Sequence, residues 1–348
     1  MLKVAVLGGS GYTGCELLRL LLAHPEVQVT AITSERSAGM YVSDVFHSIR
    51  NTDLKFEAMD VKKLAKKADL FFLCLPHKAS QETGAFLYNS GKTAIELSAD
   101  FRLKSAMVYH EWYNTKHMFA PLLKKAVYGL PELNRNKIRK ADIVANPGCY
   151  PTSAILALAP IVGSAMADSS SIIIDSKSGT SGAGRGPAQP FMFCEVNDSV
   201  KAYSVTVHRH TPEIEQELGT LAKKDVKLIF TPHLIPMDRG ILTTAYIRLK
   251  KKTNISALRK IYDDFYADEP FVRVMKDGVY PSTKGVRGSN HCDLSIFLDS
   301  RADKGQMLII VSAIDNLLKG SSGQAVHNMN IMYGFQENSG LTLAPHFP

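Results

Sequence analysis

The first 33 residues have the pattern of one βαβ unit, and this constrains the fold more than any other feature of the chain. Residues 3–7 form a short, continuous apolar run, which is typical of a strand buried on both faces of a parallel sheet. A glycine-rich turn follows at 8–14, then a leucine-rich helical segment at 15–23 and a β-branched strand at 27–33. The order of these segments predicts a parallel sheet with a helix on its face.

The same pattern continues through the first part of the chain. Further apolar strands are predicted at 70–75, 93–97 and 142–145, and a helix at 79–87. Polar or special residues follow each strand, and doubly wound sheets bind ligands at the carboxyl ends of their strands. We therefore expect residues 1–148 to form an α/β domain of the Rossmann type, a doubly wound parallel sheet with one ligand site.

After Pro151 the pattern changes to longer alternating strands with few helices between them. The predicted strands are 171–175, 226–230, 241–249, 292–298 and 307–311, and the predicted helices are 152–161, 212–221, 255–266 and 323–333. This arrangement predicts an α+β domain with a mostly antiparallel sheet over residues 149–316. We expect a C-terminal helix within 317–348 to complete the first domain.

Composition excludes several classes of protein. The net charge is +8, but the lysines are scattered and no recognition-helix or zinc-finger pattern is present, so we expect no nucleic-acid partner. The N-terminal apolar run breaks at Gly8, too early for a signal peptide, and no run reaches the roughly 18 apolar residues of a membrane span. Five cysteines without a CxxC pair favour reduced thiols and no metal site. We expect a soluble, cytoplasmic protein.

The glycine-rich turn is a candidate nucleotide site. Gly8, Gly11 and Gly14 stand between a buried strand and a helix, where backbone N–H groups and the helix N-terminus can bind a pyrophosphate. The spacing is GxxGxxG rather than GxGxxG, so a plain tight turn is the alternative.

The end of the second strand bears on which dinucleotide binds. It reads Thr33-Ser34-Glu35-Arg36-Ser37. An acid at this place favours NAD, whereas arginine and hydroxyl groups accommodate the additional phosphate of NADP. Glu35 is compatible with NAD, but Ser34, Arg36 and Ser37 together favour NADP.

Cys149 is the candidate nucleophile. It follows a predicted strand in Asn146-Pro147-Gly148-Cys149 and stands at the start of a helix, where the thiolate form is stabilised. His208 and His210, close to Glu213 in the next cluster of polar residues, can supply the base and the proton donor that thioester chemistry needs. We prefer His210 to His208, although the sequence does not separate them.

Two further segments can bind an anion. Arg102 stands at a predicted strand end, and residues 176–185 form a polar loop able to surround phosphate or carboxylate. A surface linker is an equally good interpretation of that loop.

The chain resembles the N-acetyl-gamma-glutamyl-phosphate reductase family, whose relatives include aspartate-semialdehyde dehydrogenase. The matching segments run in order along the chain: GGSGYTG (8–14), TSERSAG (33–39), CLPH (74–77), SADFRL (98–103), YGLPELNR (128–135), NPGCYPT (146–152), SKSGTSGAGR (176–185), HRHTPEIEQEL (208–218) and DNLLKGSSGQAVHNMN (315–330). The resemblance implies NADPH-dependent reduction of an acyl phosphate through a Cys149 thioester in arginine biosynthesis. It also implies a catalytic and dimerisation role for residues 149–316, and a homodimer or homotetramer.

Motifs and resemblance together assign the site residues. The catalytic candidates are Cys149, His210 and His208. The cofactor candidates are Gly8, Ser10, Gly11, Tyr12, Thr13, Gly14, Ser34, Arg36, Ser37, Pro76, Ser178, Gly179 and Asn316, the last facing the nicotinamide. The substrate candidates are Arg102, Asn146, Ser181 and Glu213. Aspartate-semialdehyde dehydrogenase, with a shorter substrate, and a nucleotide sensor that binds NADP without chemistry remain alternatives.

Overall fold

The computed structural model describes residues 1–50, 52–301 and 305–346, which divide into two compact units. The first unit consists of Met1–Gly148, Gly184–Gly186 and Ser321–Thr342. The second consists of Cys149–Ala183, Pro187–Gly320 and the residues from Leu343 onward.

The first unit is built on a seven-stranded sheet in which every pair is parallel. Its strands are β1 (Leu2–Leu7), β2 (Val27–Thr33), β3 (Phe56–Glu57), β4 (Leu70–Leu73), β5 (Thr93–Glu96), β6 (Val127–Tyr128) and β7 (Ile143–Ala145). The order is β3-β2-β1-β4-β5-β7-β6. The chain leaves β1 in one direction and returns to β4 on its other side, so the switch point lies between β1 and β4. The predicted doubly wound sheet is confirmed.

In the part of the first unit that the structure describes, seven α-helices precede β7 in the chain. They are α1 (Tyr12–Leu22), α2 (Val42–Val45), α3 (Val61–Leu64), α4 (Ala79–Asn89), α5 (Ala106–Tyr113), α6 (Ala120–Leu123) and α7 (Pro131–Ile138). α1 begins three residues before its predicted start, because Tyr12 to Gly14 are already helical rather than part of the turn. Leu17, Leu18, Leu20 and Leu21 of α1 are at most 1% exposed, which explains the leucine-rich pattern.

The second unit contains a seven-stranded mixed sheet. Its strands are β8 (Ile173–Ser178), β9 (Lys201–Ala202), β10 (Ile229–Leu234), β11 (Ile241–Arg248), β12 (Val272–Val274), β13 (Cys292–Asp299) and β14 (Met307–Ile314), in the order β12-β13-β14-β11-β8-β10-β9. The pairs β8–β10 and β12–β13 are parallel, and the other four pairs are antiparallel. The prediction of a mostly antiparallel sheet is confirmed.

Among the described residues of the second unit, four α-helices accompany this sheet: α8 (Cys149–Gly163), α9 (Phe193–Val196), α10 (Thr211–Ala222) and α11 (Ile255–Tyr266). α8 is buried from Tyr150 to Val162, which is why its sequence is apolar on all sides. It packs on α10, β11 and β14. The described part of the chain contains no helix that is both long and apolar enough to cross a membrane.

Two predicted strands of the second unit were placed too early. The strands predicted at 171–175 and 226–230 are β8 and β10, which begin two and three residues later and extend through polar residues. Ser176 and Ser178 had the appearance of a loop, but both lie on the buried face of β8. The Ser176 hydroxyl lies 2.8 Å from the Thr243 hydroxyl of β11, and this hydrogen bond makes its burial tolerable.

The last helix, α12 (Gly323–Tyr333), belongs to the first unit and has its predicted bounds. It follows a π-helical turn at Leu318–Ser322 and ends at Gly334, whose φ of +70° is a conformation that favours glycine. The helix therefore occupies only part of the segment 317–348.

Candidate active site

The glycine-rich turn lies at the carboxyl end of β1, at the switch point of the parallel sheet. A Cβ on Gly14 would stand 2.1 Å from the Gly9 carbonyl oxygen, and one on Gly8, whose φ is +81°, would stand 2.6 Å from the Cys74 oxygen. A Cβ on Gly11, in contrast, would meet no described atom within 4 Å. Gly8 and Gly14 are therefore required for packing, whereas Gly11 leaves open space at the turn.

The open space lies at the N-terminus of α1, where Gly11 is the N-cap residue. A helix N-terminus carries partial positive charge, and glycine brings no side chain that could cover the first N–H groups. Thr13 accepts a hydrogen bond from the Ser322 hydroxyl on its carbonyl oxygen at 2.9 Å, while Tyr12 is 40% exposed. These features fit the pyrophosphate of a dinucleotide.

The residues after β2 surround a second part of this site. The buried Ser34 hydroxyl donates to the Ser10 hydroxyl at 2.9 Å, so the end of β2 is joined to the glycine turn. Glu35 accepts a hydrogen bond from the Met59 N–H at 2.9 Å. Arg36 is exposed and, among the described residues, has no ion-pair partner. Its charge is available to an anion.

The turn after β4 holds Pro76, which is exposed. Lys78, two residues later, has a φ of +77°, which is rare for a residue with a side chain. Its N–H donates to the carboxylate of Asp100 at 2.9 Å, and the Tyr109 hydroxyl donates to the same carboxylate at 2.6 Å. Asp100 is fully buried, and its carboxylate thus holds the turn in this conformation.

Arg102 and Asn146, which were predicted to bind substrate, lie together in the first unit. Arg102 is 6% exposed, and its guanidinium donates to the carbonyl oxygens of Asn146 at 2.8 Å and Leu97 at 3.0 Å. The Asn146 side chain donates to the Ser321 carbonyl at 3.1 Å and accepts from Asn328 at 3.1 Å. The hydrogen bonds of both side chains thus fix the backbone segment that precedes Cys149.

Cys149 is the first residue of α8 and is half-buried. The N-terminus of this 15-residue helix stabilises a thiolate at that place. Gly320 packs against it, since a Cβ on Gly320 would stand 2.8 Å from the Cys149 Cβ. The candidate nucleophile therefore has a glycine backbone on one side.

His208 and His210, the two candidate bases, are packed together with the residue that follows Cys149. The two imidazole centroids lie 4.9 Å apart, and the Tyr150 ring lies 5.5 Å from His208 and 6.0 Å from His210. The Tyr203 hydroxyl donates to the Tyr150 hydroxyl at 3.0 Å. The structure therefore brings both histidines next to the start of α8.

The two tyrosine hydroxyls remain protonated at neutral pH. Burial raises the pKa of Tyr150, and the neighbouring Tyr203 and Cys149 raise it further. Burial, with a smaller contribution from Cys149, raises the pKa of Tyr203 to about 12. Both hydroxyls are thus hydrogen-bond donors close enough to Cys149 to interact with its charge.

His208 is held as a neutral imidazole. Burial, and then the charge of Arg209, lower the pKa of His208 to about 4. Its Nδ1 accepts a hydrogen bond from the His210 N–H at 3.1 Å. The two histidines therefore differ in environment, which the sequence did not separate.

Asn316 and the loop after β8 form one cluster in the second unit. The Asn316 amide donates to the Ser181 hydroxyl at 3.0 Å and accepts from the Gly240 N–H at 2.6 Å. Gly179 donates its N–H to the Gly240 carbonyl at 2.9 Å, and the Ser178 hydroxyl donates to the Gly179 carbonyl at 3.0 Å. The alternative that residues 176–185 are a surface linker is therefore wrong for Ser178 and Gly179, which are buried.

Glu213 lies in the first turn of α10 and is 1% exposed. Its side chain is therefore buried inside the second unit. Among the described residues, no group of three or more histidine, cysteine, aspartate or glutamate side chains is placed to hold a metal ion.

Four residues that lie beside the candidate site residues were not assigned a role from the sequence: Tyr150, Tyr203, Gly320 and Arg185. Tyr150 was marked only by its place after Cys149, and Gly320 lies inside a matching motif without a role of its own. Arg185 was included only as the last residue of the polar loop 176–185 that was predicted as a candidate anion site. Tyr203 has no motif around it. The guanidinium of Arg185 donates to the Ser10 carbonyl oxygen at 3.1 Å, a contact that no local sequence pattern predicts.

Over its whole length the chain is 55% identical to the N-acetyl-gamma-glutamyl-phosphate reductase of Geobacter metallireducens and 48% identical to that of Desulforudis audaxviator, with 100% of each chain covered. It belongs to the N-acetyl-gamma-glutamyl-phosphate reductase family. The reductase family's two domains are also matched separately: residues 3–141 match the semialdehyde dehydrogenase NAD binding domain, and residues 149–316 match the semialdehyde dehydrogenase dimerisation domain. The chain is thus an oxidoreductase with a nicotinamide cofactor.

Solved structures share the fold of this N-acetyl-gamma-glutamyl-phosphate reductase family member. Aspartate semialdehyde dehydrogenase II of Vibrio cholerae, complexed with ASA, matches with a TM-score of 0.72 and 14% identity over 96% of this chain and 98% of that chain. Aspartate semialdehyde dehydrogenase of Candida albicans, with NADP, matches with the same TM-score, identity and coverage. At this identity the likeness concerns the fold alone.

Proposed function

We propose that this chain reduces N-acetyl-L-glutamyl 5-phosphate to N-acetyl-L-glutamate 5-semialdehyde with NADPH, in arginine biosynthesis in the cytoplasm. One observation carries the proposal: Cys149 begins a buried helix beside His208, His210 and two protonated tyrosines. The first unit supplies most of the cofactor candidates, and the second supplies the catalytic candidates together with Ser178, Gly179 and Asn316. Identity of 48–55% to named reductases supports the substrate.

In the first step the Cys149 thiolate attacks the acyl carbon of the substrate. A C–S bond forms, the C–O bond to the phosphate breaks, and phosphate leaves with the bonding electrons. Phosphate is a good leaving group, so the main requirement is stabilisation of charge on the carbonyl oxygen. We assign this role to the Tyr150 hydroxyl, which burial keeps protonated and which would exchange its 3.3 Å hydrogen bond to the His233 carbonyl for one to the substrate, while Tyr203 continues to donate to Tyr150.

In the second step the thioester on Cys149 is reduced. The cofactor, when bound, supplies a hydride for the thioester carbon. The oxygen of the resulting thiohemiacetal takes a proton, and its loss accompanies cleavage of the C–S bond, which releases the aldehyde and restores the thiolate. We assign this proton transfer to His210.

His208 is the weaker candidate for proton transfer. Its pKa of about 4 leaves it neutral at physiological pH, and its Nδ1 is already an acceptor for the His210 N–H. We propose that His208 positions the backbone of His210.

NADPH is proposed in preference to NADH because of the residues after β2. Ser34, Arg36 and Ser37 offer two hydroxyls and a cation, and Glu35 is already engaged by the Met59 N–H. The glycine turn, including Ser10, Tyr12 and Thr13, is assigned to the pyrophosphate, and Pro76, Ser178, Gly179 and Asn316 to the nicotinamide half.

Among the substrate candidates, Ser181 is the best placed for direct contact, since it lies in an otherwise exposed loop. Arg102, Asn146 and Glu213 are buried, and we propose that they act through the segments they hold. We also propose that the active protein is a homodimer or homotetramer, which light scattering on a sizing column measures.

The reverse reaction tests the function. The full chain is incubated with N-acetylglutamate 5-semialdehyde, phosphate and NADP, and reduction of NADP is followed by absorbance. We expect turnover by the wild type, near-complete loss in Cys149→Ser and a large loss in His210→Asn. Cys194→Ser is the matched control, because Cys194 is an exposed cysteine of the same unit.

Each outcome has a separate meaning. Full activity in Cys149→Ser would exclude the covalent mechanism. Preference for aspartate semialdehyde would change the substrate but not the chemistry. A wild type that binds NADP and turns over neither aldehyde would support a sensor instead of an enzyme.

A further inference from the structure

Arg185 lies at the glycine turn although it is distant from that turn in sequence. Its guanidinium donates to the Ser10 carbonyl oxygen, 175 positions away, at 3.1 Å. The guanidinium carbon also lies 5.1 Å from the centre of the Phe46 ring. Gly184–Gly186 belongs to the first unit, so this contact is internal to the unit.

The segment around Arg185 has the backbone that such an approach requires. Gly184 has a φ of +86°, which residues with side chains rarely adopt. A Cβ on Gly184 or Gly186 would meet no described atom within 4 Å, so neither glycine is needed for close packing. The positive φ of Gly184 thus sets the backbone direction immediately before Arg185.

Ser10 connects Arg185 to the end of β2. The Ser10 hydroxyl accepts from the Ser34 hydroxyl at 2.9 Å, while the Ser10 carbonyl accepts from Arg185. The end of this strand is where a doubly wound sheet recognises the adenosine ribose, and an arginine there accommodates a 2′-phosphate. Arg36 is the cation that local sequence places at this point, and Arg185 is a second one.

The charge of Arg185 is not neutralised by its contacts. One carbonyl oxygen and one aromatic face leave most of its five N–H donors unused, and a guanidinium stays charged at every physiological pH. Arg185 is exposed and, among the described residues, has no ion-pair partner. A planar cation with unused N–H donors is suited to binding a phosphate group.

We propose that Arg185 is a specificity-determining residue for the cofactor, whose guanidinium binds the 2′-phosphate of NADPH beside Ser34 and Arg36. This rests on the proposed use of NADPH. It adds a residue from the loop after β8 to a site otherwise formed by the first βαβ unit.

The experiment measures binding without turnover. Adenosine 2′,5′-bisphosphate and adenosine 5′-monophosphate are titrated into the full chain by calorimetry, for the wild type and Arg185→Gln. We expect the Kd of the bisphosphate to rise about tenfold or more, as for loss of a charge-assisted hydrogen bond, with little change for the monophosphate. Arg185→Lys, which keeps the charge but not the planar fork, should show an intermediate loss.

Kinetics gives a second measurement of the same quantity. The ratio of kcat/KM with NADPH to kcat/KM with NADH should fall in Arg185→Gln by a similar factor, with NADH kinetics unchanged. Arg139→Gln is the matched control, because it removes the same charge from an exposed arginine at the end of α7. It should leave the ratio of kcat/KM with NADPH to kcat/KM with NADH as in the wild type.

The outcomes are distinguishable. Equal weakening of both adenosine ligands would overturn the proposal, since Arg185 would then act only through the glycine turn. Unchanged binding would also overturn it. If the wild type itself binds the monophosphate as tightly as the bisphosphate, the preference for NADPH fails first, and the role of Arg185 fails with it.

Discussion

Gly320 lies against Cys149 so closely that no larger residue fits: a Cβ on Gly320 would stand 2.8 Å from the Cys149 Cβ and 3.2 Å from its Cα. The Gly320 N–H donates to the Asp315 carbonyl at 3.0 Å, and the Asp315 carboxylate accepts from the Leu317 N–H at 2.8 Å. Asp315 is fully buried and pairs with Arg239 at 3.1 Å. A turn held by a partly buried ion pair thus sets the surroundings of Cys149.

We expect Gly320→Ala to damage catalysis more than folding. The added methyl displaces Cys149 from its place at the start of α8, and overpacking of this kind costs about 1–3 kcal/mol. The value of kcat should fall about tenfold or more, and the rate of Cys149 alkylation by iodoacetamide should change. Gly163→Ala is the control, since a Cβ there would meet no described atom within 4 Å. Full activity in Gly320→Ala would contradict the close contact.

Gly11 and Gly14 should respond differently to the same substitution. A Cβ on Gly14 would stand 2.1 Å from the Gly9 oxygen, so Gly14→Ala should lower the melting temperature and cofactor affinity together. A Cβ on Gly11 points into open space, so Gly11→Ala should leave the melting temperature unchanged and raise the Kd of NADPH about tenfold or more. Thermal unfolding and NADPH fluorescence measure the two effects. Unchanged affinity in Gly11→Ala would mean that no pyrophosphate approaches there.

His208 should make stability depend on pH. Its pKa is about 4 in the folded protein against 6.5 for the ordinary group, so the unfolded chain binds more protons between these values. Stability contributed by neutral His208 is complete above pH 6.5 and is lost as the pH falls towards 4. The asparagine amide oxygen of His208→Asn can still accept from the His210 N–H. In this variant the decrease in the free energy of unfolding at low pH should be smaller by about 1–2 kcal/mol, after allowance for the partial exposure of His208.

Urea unfolding at pH 7.5 and pH 4.5 (roughly the ends of the window) checks this. Burial also lowers the pKa of His291 to about 4, so part of the pH dependence remains in the variant. Identical pH dependence in the wild type and His208→Asn would refute the assignment. Activity should be largely retained in His208→Asn, in contrast to His210→Asn.

Glu96 should destabilise the protein at alkaline pH. Burial, followed by the charge of Asp100, raises the pKa of Glu96 to about 7, and its Oε2 has no hydrogen-bond partner among the described residues. The raised value means that the protonated form is favoured by folding, so this contribution is present below 4.5 and is lost as the pH rises through 7. Glu96→Gln should therefore increase the free energy of unfolding at high pH by about 2–3 kcal/mol.

The measurement is urea unfolding of Glu96→Gln and the wild type at pH 8 and pH 5 (about one unit above and two units below the raised pKa). The difference in the free energy of unfolding between Glu96→Gln and the wild type should be large at the higher pH and small at the lower pH. Glutamine keeps the acceptor for the Ser98 hydroxyl, so a loss of packing is not expected. A difference independent of pH would show that Glu96 does not titrate in this range.

Elements with a clear period were predicted well. The predicted bounds agree to the residue for β2, α11 and α12. In a helix, apolar side chains three or four residues apart define a buried face, and in a strand those two residues apart do so. Short elements such as β3, β6 and α2 were not predicted, since two to four residues contain little measurable period, whereas the equally short β4, β5 and β7 were predicted from their continuous apolar runs. β8 was shifted because its buried serines are satisfied by hydrogen bonds to neighbouring strands, which a hydrophobic pattern does not show.

Local sequence was enough to predict the main strands, the glycine turn after the first strand and a cysteine at the start of a helix, because each depends on residues within a few positions of each other. Tertiary packing alone shows that Arg102 donates to the Asn146 carbonyl and that Tyr203 donates to Tyr150, 53 positions away. It also decided that Gly320 packs on Cys149. Such contacts depend on how whole elements pack, and packing brings together residues between which the sequence contains no local signal.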